Sequence, residues 1–263
     1  MIKRDPSVIQ TQVTIVAKET IAPAWWQLKI SAPDLQSLLP GQFLLLRCAD
    51  RFTCYLRRPI FPAPIDDDNL TLLLRPDPDP GLAWLLTRMP GDKLDVIGPL
   101  GTGFPLPGSV RSLLLVSDGQ AINPLLGQMR RAIDPGISVT LALGGSQAST
   151  LYPVSALPPV VEFQAATLDG SLGHRGHVAD LLPELLAWAD SVCAVGSMNL
   201  YRVLKAQTEK VRLRVDADFL YGLITNNGMA CGVGACLSCA LETEAGLKLT
   251  CVDGPVFDLV ELA

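Results

Sequence analysis

The chain has few of the features that mark several large classes of protein. Its 21 basic residues are scattered, form no extended cluster, are not interleaved with aromatics, and are outnumbered by 26 acidic ones for a formal charge of −5. A nucleic-acid surface needs the opposite arrangement, so no nucleic-acid partner is expected. Long apolar runs are missing as well: LLLV at 113–116 and LPELLAWA at 182–189 fall far short of a bilayer span, and no membrane association is expected. Lys3 and Arg4 open the chain, but Asp5 and Pro6 follow before any apolar stretch develops. No export signal is therefore read, and a cytoplasmic location is expected. P-loop, GxSxG and HExxH motifs are absent, as are internal repeats and low-complexity tracts. The only histidines, His174 and His177, share the turn DGSLGHRGH with no nucleophile or carboxylate constellation around them in sequence. They are read as loop and helix-cap residues, and no catalytic residue is assigned.

Against this background the cysteines stand out. There are seven, an odd number, and four of them lie within MACGVGACLSCALETEAGLKLTCVDGPVF, residues 229–257. In a reducing compartment such a dense group indicates metal ligation or redox work instead of a disulfide framework. Cys231, Cys236, Cys239 and Cys251 are spaced C-x4-C-x2-C-x11-C. The first three match the plant-type spacing of [2Fe–2S] ligation, in which a tight loop wraps the cluster and a distant thiolate closes it. The Gly-Val-Gly-Ala stretch between Cys231 and Cys236 is small and flexible enough to curl and aim N–H groups at sulfur. A structural zinc knot is the alternative, although zinc sites more often pair their ligands closely at both ends of a loop. Cys48, Cys54 and Cys193 lie in apolar strand-like settings and read as small core residues, and Trp25, Trp26 and Trp84 as core or interface aromatics.

The rhythm of the chain changes twice. TQVTIVAKE, WWQLKIS, GQFLLLRC, LRRPIF and LTLLLRP are short strands separated by turn signals at Pro40-Gly41, Asp66 to Asn69 and Pro76 to Pro80. With a short helix over LAWLLTR and a strand KLDVIG, they predict an antiparallel β-barrel domain over residues 1–103. The Gly- and Pro-rich GPLGTGFPLPG leads into residues 104–217, where buried-type strands alternate with amphipathic helices. RSLLLVS, SVTLALG, VVEFQAATL and SVCAVGS are the strands; NPLLGQMRRAI, GHVADLLPELLAWA and MNLYRVLKAQ are the helices. That alternation predicts an α/β domain on a parallel sheet, with ligands beyond the carboxyl ends of its strands. Residues 218–263 lack a long periodic element, and a segment of that size needs a staple such as bound metal.

With these segments in view, the chain resembles, nearly end to end, the electron-transfer subunits of heteromeric dihydroorotate dehydrogenases, a branch of the ferredoxin reductase-like flavoproteins. LRRPI at 56–60, GLAWLLTRMPGDKLDVIGPLGTGF at 81–104, DGSLGHRGHVADLL at 169–182, and MACGVGACLSC with CVDGPVF carry the resemblance. It implies FAD in the barrel, a nicotinamide dinucleotide (NAD) in the α/β domain, and a [2Fe–2S] cluster on the four tail cysteines. It also implies an FMN-containing catalytic partner in a heterotetramer of two plus two chains. Electrons would pass from dihydroorotate to the partner's FMN, then through the cluster and FAD to NAD+, in pyrimidine biosynthesis. The flavin contacts carried over are Arg58, Pro59, Ile60 and Phe61; Leu74, Arg75 and Pro76; and the Gly81-Leu82 turn at the phosphates. A guanidinium suits the pyrophosphate because it pairs with phosphate oxygens in a forked geometry.

Four sites depart from the family pattern. Phe61 replaces a serine of Arg-Pro-x-Ser, exchanging a polar contact for a ring that packs or stacks, and Leu82 lacks the hydroxyl of the family's threonine. The glycine-rich turn after the first α/β strand reads Ser117-Asp118-Gly119-Gln120-Ala121-Ile122-Asn123-Pro124, and the family's Cys-Gly-Pro reads Val195-Gly196-Ser197. A carboxylate at Asp118 opposes a phosphate by about 1 kcal/mol if exposed. Weakened or lost NAD binding is one expectation, and drift within a working NAD site is the other. Two further functions remain open: an iron–sulfur flavoprotein reductase subunit serving another redox enzyme, and a zinc-stapled non-catalytic subunit.

Overall fold

The computed structural model describes residues 8–262 except 24, 36, 50–53, 65–67, 77, 120–121, 214–217 and 226–227. Asp66 and Asp67 of the acidic turn, and Gln120 and Ala121 of the altered glycine turn, therefore lie outside the described residues, as do Lys3 to Pro6. The chain divides into two compact units. One runs to Gly103 and includes Thr225–Leu241 and Leu247–Pro255; the other comprises Phe104–Ile224, Glu242–Gly246 and the residues from Val256 onward. The stretch 218–263 thus contributes to both.

The first unit holds a seven-stranded antiparallel sheet. Its strands are β1 (Ile9–Ala22), β2 (Trp25–Ser31), β3 (Phe43–Leu46), β4 (Arg58–Ile60), β5 (Ala63–Pro64), β6 (Asn69–Leu74) and β7 (Lys93–Leu100), in the order β4-β3-β7-β1-β2-β6-β5. Alternation places Val13 and Ile15 of β1, Leu28 and Ile30 of β2, and Leu94 and Val96 of β7 in one core, where Cys48 and Cys54 are also buried. Helix α1 (Pro80–Leu86) starts where Asp79 accepts hydrogen bonds from the N–H groups of Gly81 and Leu82, with Pro80 in the first turn.

The second unit contains β8 (Ser112–Ser117), α2 (Asn123–Ile133), β9 (Ser138–Gly145), β10 (Glu162–Thr167), β11 (His174–Arg175), α3 (Leu182–Trp188), β12 (Ser191–Val195), α4 (Met198–Val211) and β13 (Leu220–Leu223). Its sheet order is β11-β10-β9-β8-β12-β13-β16, parallel throughout except for β16 (Val256–Asp258), which runs antiparallel to β13. Strands such as SVCAV are buried on both faces, as a helix-covered parallel sheet requires. The chain progresses outward from β8 to β11 and then returns to β12 on the other side of β8. The strand order therefore reverses between β8 and β12. The predicted helix GHVADLLPELLAWA is divided: Val178–Leu181 forms a 3-10 turn, and α3 begins at Leu182 with Pro183 in its first turn, where the missing N–H is tolerated.

The tail adds a small hairpin, β14 (Ala240–Thr243) with β15 (Gly246–Leu249). Lys205 Nζ donates to Val260 O and Leu262 O at 3.0 and 2.8 Å and pairs with Glu244 at 3.0 Å, which fastens the last residues to α4.

Candidate metal centre and cofactor sites

The four tail cysteines come together as two pairs. Gly232, Gly234 and Leu237 take positive φ values of 70°, 73° and 58°, so the chain reverses repeatedly between Cys231 and Cys239. A glycine adopts that conformation without strain, and Leu237 is the one side chain here that bears its cost. Cys231 and Cys236 hydrogen-bond each other, and Ser238 Oγ lies 3.0 Å from Cys236 Sγ. Cys251 reaches Cys239 because Thr250 folds onto it: the N–H and hydroxyl of Thr250 both donate to Cys239 O, each at 3.1 Å. Cys251 and Cys239 then share a hydrogen bond, and the Gly234 N–H also points at Cys251.

The two pairs differ electrostatically. Contacts with the Ser238 side chain and its N–H, followed by that with Cys231, bring the exposed Cys236 thiol down to about 7, while the Ser238 hydroxyl proton itself goes to Gly228 O. Burial, followed by the contact with Cys239, pushes Cys251 up to about 12. Among the described residues no three His, Cys, Asp or Glu side chains are grouped to hold a single metal ion. The two sulfur pairs match the two thiolates that each iron of a two-iron cluster takes. The donor set is all-sulfur, partly sheltered and ringed by backbone N–H groups, so the residues present fit a [2Fe–2S] cluster.

At the proposed flavin end, Arg58 leaves β4 and its Nε meets Asp79 Oδ1 and Oδ2 at 3.0 and 2.8 Å, while Nη1 donates to Leu56 O at 2.8 Å. Asp79 Oδ1 in turn accepts from Gly81 N and Leu82 N at 2.8 and 3.1 Å. Burial acts to raise the Asp79 pKa, but the bonds from Arg58, Leu82 and Gly81 outweigh it and hold the carboxyl below its usual range. Gly81 is required for space: a Cβ there would fall 2.8 Å from Arg58 Cγ. Arg58, Gly81 and Leu82 are thus brought together around Asp79, which the sequence reading passed over although Asp-Pro-Gly before an apolar run is an N-cap signal. The carboxylate grips one edge of the guanidinium and fixes its plane, an arrangement compatible with phosphate recognition by the rest of the fork.

The other residues that the resemblance assigns to the flavin are more dispersed. Phe61 is buried and packs against Phe43, ring centroids 5.8 Å apart and tilted 41°. Ile60 and Leu74 are buried, Pro59 is half-buried, Pro76 is exposed, and the Arg75 guanidinium lies 4.7 Å from the centre of the Trp25 ring.

In the second unit a cavity of about 300 Å³ opens past the carboxyl ends of β8, β9 and β12, lined by Asp118, Gly144, Ser146, His177, Ser197 and Asn199 among others. Asp118 Oδ2 accepts the Ser197 N–H at 3.0 Å. His177 N donates to Asp180 Oδ2 at 2.8 Å and His174 Nε2 lies 3.3 Å from the same oxygen, so both histidines belong to the start of the 3-10 turn. Cys193 is fully buried in β12, and burial pushes its thiol up; Cys48 is likewise raised to about 12, by burial and then by Cys54.

The architecture defines a class: an antiparallel domain and a parallel α/β domain in the ferredoxin reductase-like fold, with an iron–sulfur segment at the end. A solved NADH-dependent reduced ferredoxin-NADP oxidoreductase matches 95% of this chain and 89% of its own with a TM-score of 0.78 and 24% identity. Residues 226–263 match the iron–sulfur cluster binding domain of dihydroorotate dehydrogenase B. Dihydroorotate dehydrogenase B (NAD(+)) electron transfer subunits from Shouchella clausii and a Geobacillus species are 33% and 31% identical over 265 and 261 residues, covering 96% of this chain and 98% of each relative. The chain belongs to the family of dihydroorotate dehydrogenase B electron transfer subunits.

Proposed function

We propose that this chain relays electrons between a catalytic, dihydroorotate-oxidising flavoprotein and NAD+ in pyrimidine biosynthesis. The observation that carries the reading is the arrangement of the tail cysteines as two sulfur pairs, in a chain related end to end to electron transfer subunits. Cys231 and Cys236 would hold one iron, and Cys239 and Cys251 the other. Arg58, Pro59, Ile60, Phe61, Leu74, Arg75, Pro76, Gly81 and Leu82 would line the FAD site. When bound, the cluster carries single electrons and FAD exchanges either one or two, which is what makes their pairing useful.

The chain's own residues prepare for these groups. The Ser238 N–H favours the anionic form of Cys236, which is the ligand form of sulfur. Asp79 orients Arg58 for the flavin phosphates. Residues 1–103 then serve as the flavin domain, 104–217 as the nicotinamide-nucleotide domain and 218–263 as the cluster segment, which also lends β13 and β16 to the second sheet.

A partner surface is supported at the cysteine loop, where Val233, Leu237, Leu247 and Val252 are exposed apolar side chains, Leu237 and Leu247 at 60% and 66%. Exposed apolar groups around a redox centre suit a lasting hetero-complex, here two of these chains with two catalytic subunits. No described helix is long and apolar enough to cross a membrane. Anaerobic co-purification with the catalytic subunit tests the proposal: two irons, two sulfides and one FAD per chain are expected, with NAD+ reduction driven by dihydroorotate. A colourless complex containing zinc would refute it.

A further inference from the structure

In an open parallel sheet, ligands bind where the strand order reverses, beyond the carboxyl ends of the strands. Here that point lies between β8 and β12, and the residues immediately after those strands, Asp118 and Ser197, both line the cavity. A helix N-terminus opening onto such a crevice is ordinarily an anion site, because its first N–H groups lack partners. At the start of α4 the protein takes up several of the N–H groups itself. The Ser197 N–H goes to Asp118 Oδ2 at 3.0 Å, the Gly196 N–H to the Tyr201 hydroxyl at 2.9 Å, and the Leu200 N–H to Ser197 Oγ at 3.2 Å. A carboxylate thus already sits against the N-cap of the helix, where an external anion would approach.

Two further observations concern the cavity. Asp118 Oδ1 is buried and accepts no hydrogen bond among the described residues, so the carboxylate is left seeking a donor. The described lining also carries no Lys or Arg that would offset the charge of a phosphate. This site does not fit a dinucleotide pyrophosphate as well as a neutral turn would.

We propose that Asp118 is the specificity-determining residue of this cavity, weakening all nicotinamide dinucleotides and disfavouring the reduced form most. The inference rests on the electron-transfer reading and deepens it. NADH carries one more net negative charge than NAD+, because its ring is no longer cationic, and a fixed carboxylate repels the more anionic ligand more strongly. A subunit that delivers electrons to NAD+ would thereby shed its reduced product readily.

The test uses the complete complex, loaded with flavin and cluster, and compares it with Asp118→Asn, whose amide oxygen can still accept the Ser197 N–H. Calorimetric titrations with NAD+ and with a non-reducing tetrahydro analogue of NADH give the two dissociation constants. Asp118→Asn is expected to bind both more tightly, the analogue by at least tenfold and NAD+ by a smaller factor. Equal or weaker binding of the analogue by the variant, at unchanged melting temperature, would overturn the inference. If that variant melts early, Asp118→Ser supplies the same comparison. Absence of iron and flavin from the parent complex would instead defeat the electron-transfer reading, so the two failures are distinguishable.

Discussion

Gly228→Ala places the sharpest demand on the cysteine loop. A Cβ at this position would fall 2.1 Å from Ser238 O, 2.6 Å from Ser238 C and 3.1 Å from Cys239 N. The obstacle is backbone, so no side-chain rotation relieves it, and the carbonyl must retreat by more than an ångström to restore contact distance. Overpacking of this kind costs about 1–3 kcal/mol. The cheapest relief is to displace Ser238 and Cys239, which parts Cys239 from Cys251 because Thr250 sets their approach through Cys239 O. Metal–ligand distances tolerate only about 0.2 Å. Purified without oxygen, Gly228→Ala should therefore hold well under half the iron and sulfide of the parent while keeping its flavin and far-ultraviolet dichroism. Gly108→Ala is the control, since a Cβ there meets nothing within 4 Å and should leave iron content untouched. A Gly228→Ala protein with full iron and an unchanged visible spectrum would show that the loop absorbs a methyl group and that this contact does not position the cysteines.

Two other substitutions probe the remaining sites. Asp79→Ala removes the α1 cap, about 1 kcal/mol, and the pair with a partly exposed Arg58, up to about 1 kcal/mol, so urea unfolding should show a loss of about 1–2 kcal/mol. Because the folded Asp79 pKa is depressed, its contribution is present at neutral pH and is lost as pH falls below about 4; Asp79→Ala should flatten that part of the stability curve, and an unchanged acid limb would count against the geometry. Leu237→Glu, on the exposed loop, should weaken association with the catalytic subunit at least tenfold by calorimetry without changing iron content, whereas equal affinity would remove the loop from the interface.

Periodic segments were legible in the sequence and close contacts between distant residues were not. WWQLKIS is strand β2 to the residue, because alternating side chains on one buried face leave a clear period of two. The two-residue strands Ala63–Pro64 and His174–Arg175 went unread, being too short to establish any period. Pro183 divided a stretch that apolar spacing alone merges into one helix. At the sites, cysteine spacing predicted which sulfurs share a loop, but their pairing depends on Thr250 folding over Cys239, eleven residues away. Asp118 was recognised as a foreign charge in the phosphate turn. That it occupies the head of α4, 79 residues later, follows only from the placement of β12 beside β8.

Strand β16 bears on how a cluster-free version could be made. It supplies Val256, Phe257 and Asp258 as the antiparallel neighbour of β13, opposite Leu223, Gly222 and Tyr221. Cutting the chain ahead of the cysteines would strip this border strand away and leave β13 as a raw, hydrogen-bond-hungry margin inviting other chains to stack on it. Chemists wanting a flavin-only reductase should exchange sulfurs for hydroxyls one at a time and leave the hem of the sheet sewn shut.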